Sequence, residues 1–219
     1  MITIFKKLDS RVSYRRWLLN NCLSRYFKNS KNIKIAVDIG GNKLIGKKKF
    51  SFPVDKVDLW INLNINEKLM PEIVGDASKI PIRDKSVDLV ILTEVLEHLT
   101  LPAQSINEIY RIIKPGGEFI GSAPFIFPIH GDPDDYYRFT DSALKLMLKK
   151  FKTVEIEPMG GLFGVIALMI EQGIPSLSTN RLVKFFLRHL SIILCKFDIA
   201  NNYKGSNRFT TGWFWKCKK

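Results

Sequence analysis

Cysteine is scarce. The chain has 219 residues and three cysteines, Cys22, Cys195 and Cys217. The number is odd, the spacings are wide, and no CxxC or Cys/His cluster occurs. Neither a disulfide framework nor a zinc site is expected, and the expectation for metal is none. Long apolar runs are also missing. The longest, Gly161–Ile170, falls well short of the ~20 residues that span a bilayer. The opening stretch, up to Arg16, lacks the apolar core of a secretory signal. No internal repeat or low-complexity tract is visible, which sets aside solenoids and linkers. These absences point to a cytoplasmic chain, with peripheral contact at the inner face of a membrane left open.

Apolar residues make up 46% and charged residues 25% of the chain, so it should fold. Its length suits one well-buried domain with short extensions. The formal charge of +13 is uneven. Residues 1–50 hold 13 Lys and Arg against 2 Asp and Glu, a net +11. Residues 51–142 hold 8 against 15, a net −7, and residues 181–219 hold 9 against 1, a net +8. Basic ends attract phosphate-bearing partners: nucleic acid, anionic lipid, or nucleotide- and phosphate-linked substrates. They also serve as plain solubilising surface.

Residues 12–27 place Trp17, Leu18, Cys22, Leu23, Tyr26 and Phe27 on a helical stripe among Arg15, Arg16, Arg25 and Lys28. The pattern predicts a basic amphipathic helix, packed on its own domain or lying on a membrane surface. Strand patterns then recur at Ile33–Ile39, Val57–Asn64, Glu72–Gly75, Val87–Leu92, Glu118–Ala123 and Lys152–Ile156. Helical spacing runs from Leu101 to Ile113, with Pro115-Gly116-Gly117 as the stop. Thr140-Asp141-Ser142 reads as the N-cap of a helix over 142–151. Strands alternating with helices predict βαβ units and a parallel sheet, with ligands at the carboxyl ends of the strands. The expected organisation is a basic helical extension over 1–30, a core over 31–160, and helices plus a last strand of the same domain over 161–219.

The unusual residues fall at those strand ends. Asp38-Ile39-Gly40-Gly41-Asn42 is a glycine turn that lets a ligand approach the backbone. No Lys-Ser/Thr pair follows it, so it is not a phosphate-cradling loop. Asp38 would repel a phosphate and welcome an amino-bearing ligand. Asn64 ends the second strand, either as a ribose partner or as a turn residue. Gly75-Asp76-Ala77 follows the third strand, where an Asp can bind an adenine amino group. Thr93-Glu94-Val95-Leu96-Glu97-His98 ends the fourth.

Taken in order, Asp38–Gly41, Gly75–Ala77, Ile80-Pro81, Val87–Val90, Glu94–His98 and Ile113–Gly117 resemble the class I S-adenosylmethionine-dependent methyltransferases, in the branch called methyltransferase type 11. The likeness covers roughly residues 33–157. It implies a Rossmann-like, doubly wound α/β fold: a seven-stranded sheet, mostly parallel, with an antiparallel last strand formed by Phe209–Lys216. It also implies S-adenosylmethionine as cofactor. Asp38, Gly40 and Gly41 would contact its methionine part, Asn64 the ribose, Asp76 and Ala77 the adenine, and Glu94 the region beside the sulfonium. Two positions depart from the pattern. Asn42 stands where the family has a second glycine, and Asn64 where it has an acid.

The loop after the fifth strand, Pro124 to Thr140, is dense in His, acidic and aromatic residues, as functional loops are. It is similar to a stretch in methyltransferases found with bacterial surface-polysaccharide assembly. If a hydroxyl is the methyl acceptor, a base must take its proton. His130 is the first candidate, because its ordinary pKa near ~6.5 suits neutral pH. Asp135 or Asp132 would orient it or act instead, and His98 is second. The expected activity is methyl transfer to a hydroxyl or phosphate of a sugar or lipid-linked glycan precursor. A quinone or other small-metabolite methyltransferase, an RNA methyltransferase, and a non-catalytic binding protein are the alternatives. Nucleic acid is the weaker partner, since no base-flipping motif or RNA module is present.

Overall fold

The computed structural model describes residues 12–30, 33–41, 56–131, 134–177 and 179–219. Asn42 and Asp132 lie outside the described residues. Seven strands form one sheet: β1 (Ile33–Ile39), β2 (Val57–Asn64), β3 (Ile73–Val74), β4 (Val87–Thr93), β5 (Ile113–Pro124), β6 (Thr153–Pro158) and β7 (Gly212–Lys218). Their order is β3-β2-β1-β4-β5-β7-β6. Strands β1 to β5 pair in parallel, and β7 runs antiparallel between β5 and β6. The expected α/β sheet and its antiparallel last strand are both present.

Period-two alternation explains the two-sided core. Val37, Ile39, Val90, Leu92, Phe119, Trp213 and Trp215 face one layer. That layer holds α2 (Pro102–Ile112) and α3 (Asp141–Leu148), through Ile106, Ile109, Leu144 and Leu148. Ala36, Leu89, Ile91, Ile120 and Phe214 face the other, which holds α1 (Tyr14–Asn29), α4 (Leu162–Leu177) and α5 (Arg181–Ala200). The Thr140 hydroxyl accepts from the Ala143 N–H at 3.1 Å and caps α3, as the sequence predicts.

Several boundaries differ from expectation; the helix expected over 142–151, for one, ends at Leu148. Helix α2 ends at Ile112, before the Pro-Gly-Gly. Pro115, Gly116 and Gly117 sit in an irregular start of β5, where the pairing register jumps from Val87↔Ile113 to Leu89↔Glu118. The last strand begins at Gly212 rather than Phe209. Thr210 and Thr211 form a buried turn instead, their hydroxyls donating to the Met159 carbonyl at 3.1 and 2.7 Å. The third strand is reduced to two residues.

Helix α1 spends its apolar stripe on the sheet. Trp17, Leu18, Cys22, Leu23, Tyr26 and Phe27 are all buried. Each large side chain so buried contributes about 1.5–3 kcal/mol. Lifting this helix onto a membrane would forfeit that, so of its two expected roles the structure selects packing on its own domain.

Candidate active site

The carboxyl ends of β1, β4 and β5 converge. Asp38 is buried at the end of β1, and the chain leaves through Gly40 at φ +78°. A left-handed backbone suits glycine, and any Cβ there would run into the Val95 side chain. At Gly41 a Cβ would fall on Asn62 Oδ1 and lie 2.8 Å from Asp38 Oδ2. The turn therefore packs directly on the loop after β4, which holds Glu94 to His98.

Asn64 is fastened locally. Its Nδ2 donates to the Gly41 carbonyl at 3.1 Å, and its Oδ1 accepts from the Asn66 N–H at 3.0 Å. It staples the end of β2 to the glycine turn and keeps one N–H and one lone pair for a ligand. Asp76 is exposed beyond β3, with Oδ1 accepting the Ser78 N–H at 2.7 Å, and Ala77 beside it is buried.

Glu94 has φ +55°, unusual for a residue with a side chain. Its carboxylate is gripped by Arg15 of α1: Nε to Oε2 at 2.9 Å, and Nη2 to Oε1 at 2.7 Å. The Ser122 hydroxyl donates to Oε1 at 2.6 Å. Burial raises the Glu94 carboxyl, but the Arg15 charge and these hydrogen bonds outweigh it and hold the group below the usual carboxylate range. Arg15 also donates to the Thr211 carbonyl at 2.6 Å. Glu94 is thus a carboxylate paired with Arg15 and Ser122 at the exit of β4.

His130, from the loop after β5, lies beside His98 from the loop after β4, with ring centroids 5.1 Å apart. The Asp135 carboxylate accepts the His130 backbone N–H at 2.9 Å and lies 3.2 Å from His130 Nδ1. Arg138 holds both Asp135 oxygens, with Nη2 2.6 Å from Oδ2. The hydrogen bonds from Arg138 hold the Asp135 carboxyl far below its ordinary range. Asp135 therefore stays an anion that orients His130 and is a poor proton acceptor. Between the two imidazoles lies Glu97, fully buried. Burial, with Glu94 nearby, pushes its carboxyl up to about 8.

Residues 36–121 match the family model described as a methyltransferase domain. Over that stretch the chain is similar to methyltransferases. Among curated relatives, a probable S-adenosylmethionine-dependent methyltransferase of Mycolicibacterium smegmatis is 42% identical over 50 residues, 23% of this chain and 20% of that protein. A ubiquinone/menaquinone biosynthesis C-methyltransferase of Ruegeria is 33% identical over 48 residues, 22% of this chain and 19% of that protein. The chain thus spans about a fifth of the length of the curated relatives it matches. Among solved structures, an S-adenosylmethionine-dependent methyltransferase of Archaeoglobus fulgidus superposes with a TM-score of 0.55 at 18% identity, covering 93% of this chain and 94% of that one. A Haemonchus contortus phosphoethanolamine N-methyltransferase, solved with S-adenosylhomocysteine, gives 0.58 at 17% identity, covering 93% and 52%.

The structure brings Asp38, Gly40, Gly41 and Asn64 to one turn, and Glu94, His98, His130 and Asp135 to the adjoining strand ends. Asp76 and Ala77 sit at the exit of β3, across β2 from them. Sequence reasoning missed two participants. By sequence Arg15 belongs to the polar surround of α1, yet it lies four residues before Leu19, seven before Cys22 and eleven before Tyr26, on the buried stripe. By sequence Glu97 is one member of the Glu94–His98 stretch, and nothing local singles it out. A cavity of about 750 Å³ opens elsewhere, towards the amino ends of β1, β4 and β5 beneath α1, lined by Arg25, Lys34, Asp88 and Lys114 among others. Ligands of this fold bind at the opposite ends of the strands, so that cavity is not the cofactor site.

Proposed function

We propose that this methyltransferase domain moves the methyl group of S-adenosylmethionine onto a hydroxyl of a sugar or lipid-linked glycan precursor. The observation that carries the reading is the packing of the Asp38–Gly41 turn against the loop that presents His98 beside His130. This sets a cofactor seat next to a candidate base. Asp38, Gly40 and Gly41 hold the methionine part, Asn64 the ribose, Asp76 and Ala77 the adenine. The acceptor oxygen attacks the methyl carbon, the carbon–sulfur bond breaks, and the sulfur leaves as a neutral thioether. The hydroxyl proton passes to His130 Nε2, and Asp135 stabilises the imidazolium. Alignment of donor and acceptor supplies up to about 7–11 kcal/mol of the barrier, and the base about 10²–10⁴-fold in rate. A phosphate oxygen as acceptor would need the alignment only.

The membrane part of this reading rests on α5 rather than α1. Leu182, Phe186, Leu190, Ile193 and Phe197 form an outward stripe at helical spacing, with Leu182 and Phe186 each 68% exposed. The inward face carries Ser191, Cys195 and Asp198. Asp198 is the one acid in residues 181–219, and it is buried against Tyr14, whose hydroxyl donates to it at 2.9 Å. An exposed apolar stripe among unopposed basic charges suits an anionic lipid surface. Among the described residues, no helix is long and apolar enough to cross a membrane.

A second reading, methylation of a quinone, draws on the quinone-biosynthesis relative. One assay separates the readings: transfer of labelled methyl from S-adenosylmethionine to lipid-linked sugars, nucleotide-linked sugars, quinols and RNA, run side by side. Label in the sugars supports the proposal, and label confined to quinols or RNA overturns it. Calorimetry showing no cofactor binding would leave a binding protein with a methyltransferase fold.

A further inference from the structure

The chain has three histidines, and two of them converge on one buried carboxylate. Glu97 Oε1 lies 3.7 Å from His98 Nε2 and 3.7 Å from His130 Nε2. All three atoms lie within 4.8 Å of one another. Glu97 is fully buried, and neither of its oxygens has a hydrogen-bond partner among the described residues. A buried carboxylate without partners is costly.

The far side of each imidazole is equally specific. His98 Nδ1 faces the Asp134 carbonyl. A carbonyl only accepts, so Nδ1 carries the proton and Nε2 of the neutral ring offers a lone pair towards Glu97. His130 Nδ1 lies 3.2 Å from the Asp135 carboxylate, a group that can only accept, although the two are not aligned as a hydrogen bond. Asp135 is held in turn by Arg138. Metal-ligating histidines are oriented in this way, with the second nitrogen donating to a carboxylate or a carbonyl.

We infer that Glu97 Oε1, His98 Nε2 and His130 Nε2 bind a divalent first-row transition cation, with zinc as the reference ion. A tetrahedral shell at about 2.0–2.1 Å sets its ligands about 3.4 Å apart, so the two 3.7 Å spacings to Glu97 need to close by a few tenths of an ångström and the two Nε2 atoms, within 4.8 Å of each other, by no more than about 1.4 Å. Two imidazoles and one carboxylate suit zinc and its neighbours better than magnesium or calcium, which take oxygen ligands. Three protein ligands leave a coordination position open. It would lie on the side where His130 is 37% exposed. This deepens the proposed function, on which its location relative to the acceptor rests. A methyl-acceptor hydroxyl would occupy the open position, where the cation would lower its pKa so that its proton leaves to water; His130 Nε2, then a ligand, is the proton acceptor only in the metal-free chain.

The test uses the full chain without a histidine tag, freed of metal by a chelator. Cobalt(II) and zinc are titrated in, followed by the visible absorption of cobalt and by calorimetry with zinc. One equivalent should bind with visible cobalt bands. Glu97→Gln, His98→Gln and His130→Gln should each weaken zinc binding at least tenfold to a hundredfold. His189→Gln, on α5, should leave it unchanged. Binding of S-adenosylmethionine, measured separately, shows that each variant is folded and tests the cofactor reading on its own. Absence of stoichiometric binding to the wild-type chain overturns the inference. So does zinc binding that survives His130→Gln or is lost in His189→Gln. Metal binding without cofactor binding would overturn the proposed function and leave the metal site standing.

Discussion

Arg15 and Glu94 stand 79 residues apart and meet through two-pronged hydrogen bonds of 2.7–2.9 Å, with the Arg15 side chain 4% exposed. The contact ties α1 to the exit of β4. Through the Thr211 carbonyl it also reaches the turn before β7.

Removing one partner of a buried pair leaves an uncompensated charge. Arg15→Met should therefore destabilise the chain by about 3–5 kcal/mol. The pH dependence should change sign. In the wild type the Glu94 carboxyl is depressed, so its contribution is present above the unfolded value near ~4.3 and is lost as pH falls through the folded value. In Arg15→Met, burial dominates and raises the carboxyl, so this group stabilises less as pH rises. Denaturant melts between pH 3 and 7 read both effects. Arg15→Met combined with Glu94→Gln should recover much of the loss. Failure of the double variant to do so would show that the charge is not the cause.

Asp38→Ala should abolish S-adenosylmethionine binding by calorimetry while the fold persists. Gly40→Ala should weaken it through the backbone: about 1–2 kcal/mol for the left-handed conformation, plus the clash with Val95. Truncating Val95 to Ala should relieve the clash and leave the backbone cost. Wild-type affinity in Asp38→Ala would sink the mapping of cofactor onto this turn.

His130→Ala should lower turnover by about 10²–10⁴-fold and change cofactor affinity little. Asp135→Asn should lower turnover as well, because it removes the anion that faces His130 Nδ1. Unchanged turnover in His130→Ala refutes its role at the acceptor.

On α5, Phe186→Asp with Ile193→Asp should abolish co-sedimentation with anionic liposomes. The same change should leave methyl transfer to a water-soluble acceptor intact, since the stripe faces away from the sheet. Equal sedimentation of wild type and variant would remove the membrane from the proposal.

Burial pushes the thiols of Cys22, Cys195 and Cys217 each up to about 12. At pH 8 the thiolate fraction is then on the order of 10⁻⁴. An alkylating reagent should label none of them in the native chain and all three in denaturant. Rapid labelling of Cys195 would show that α5 opens from the sheet.

By itself, the sequence determined the layering and the strand ends. Apolar residues alternating with period two fix which face of β1, β4 and β7 meets which helix layer. The turn at Gly40 is legible because only glycine takes that backbone freely. The motifs from Asp38 to Gly117 mark the strand ends where the proposed cofactor seat lies. Other features depended on packing. Pro115–Gly117 looked like a helix stop, but β5 pairing absorbed them, since paired backbone outweighs a local breaker. Asn64 could be read as a ligand or a staple until Gly41 stood beside it. The tertiary structure alone decided that Glu94 is neutralised by Arg15 and that Glu97, His98 and His130 share one point. Those groups come from loops 32 residues apart and from a helix at the other edge of the sequence. No local spacing records such distances, and the strength of a charge pair is set by burial, which exists only once the chain has closed around it.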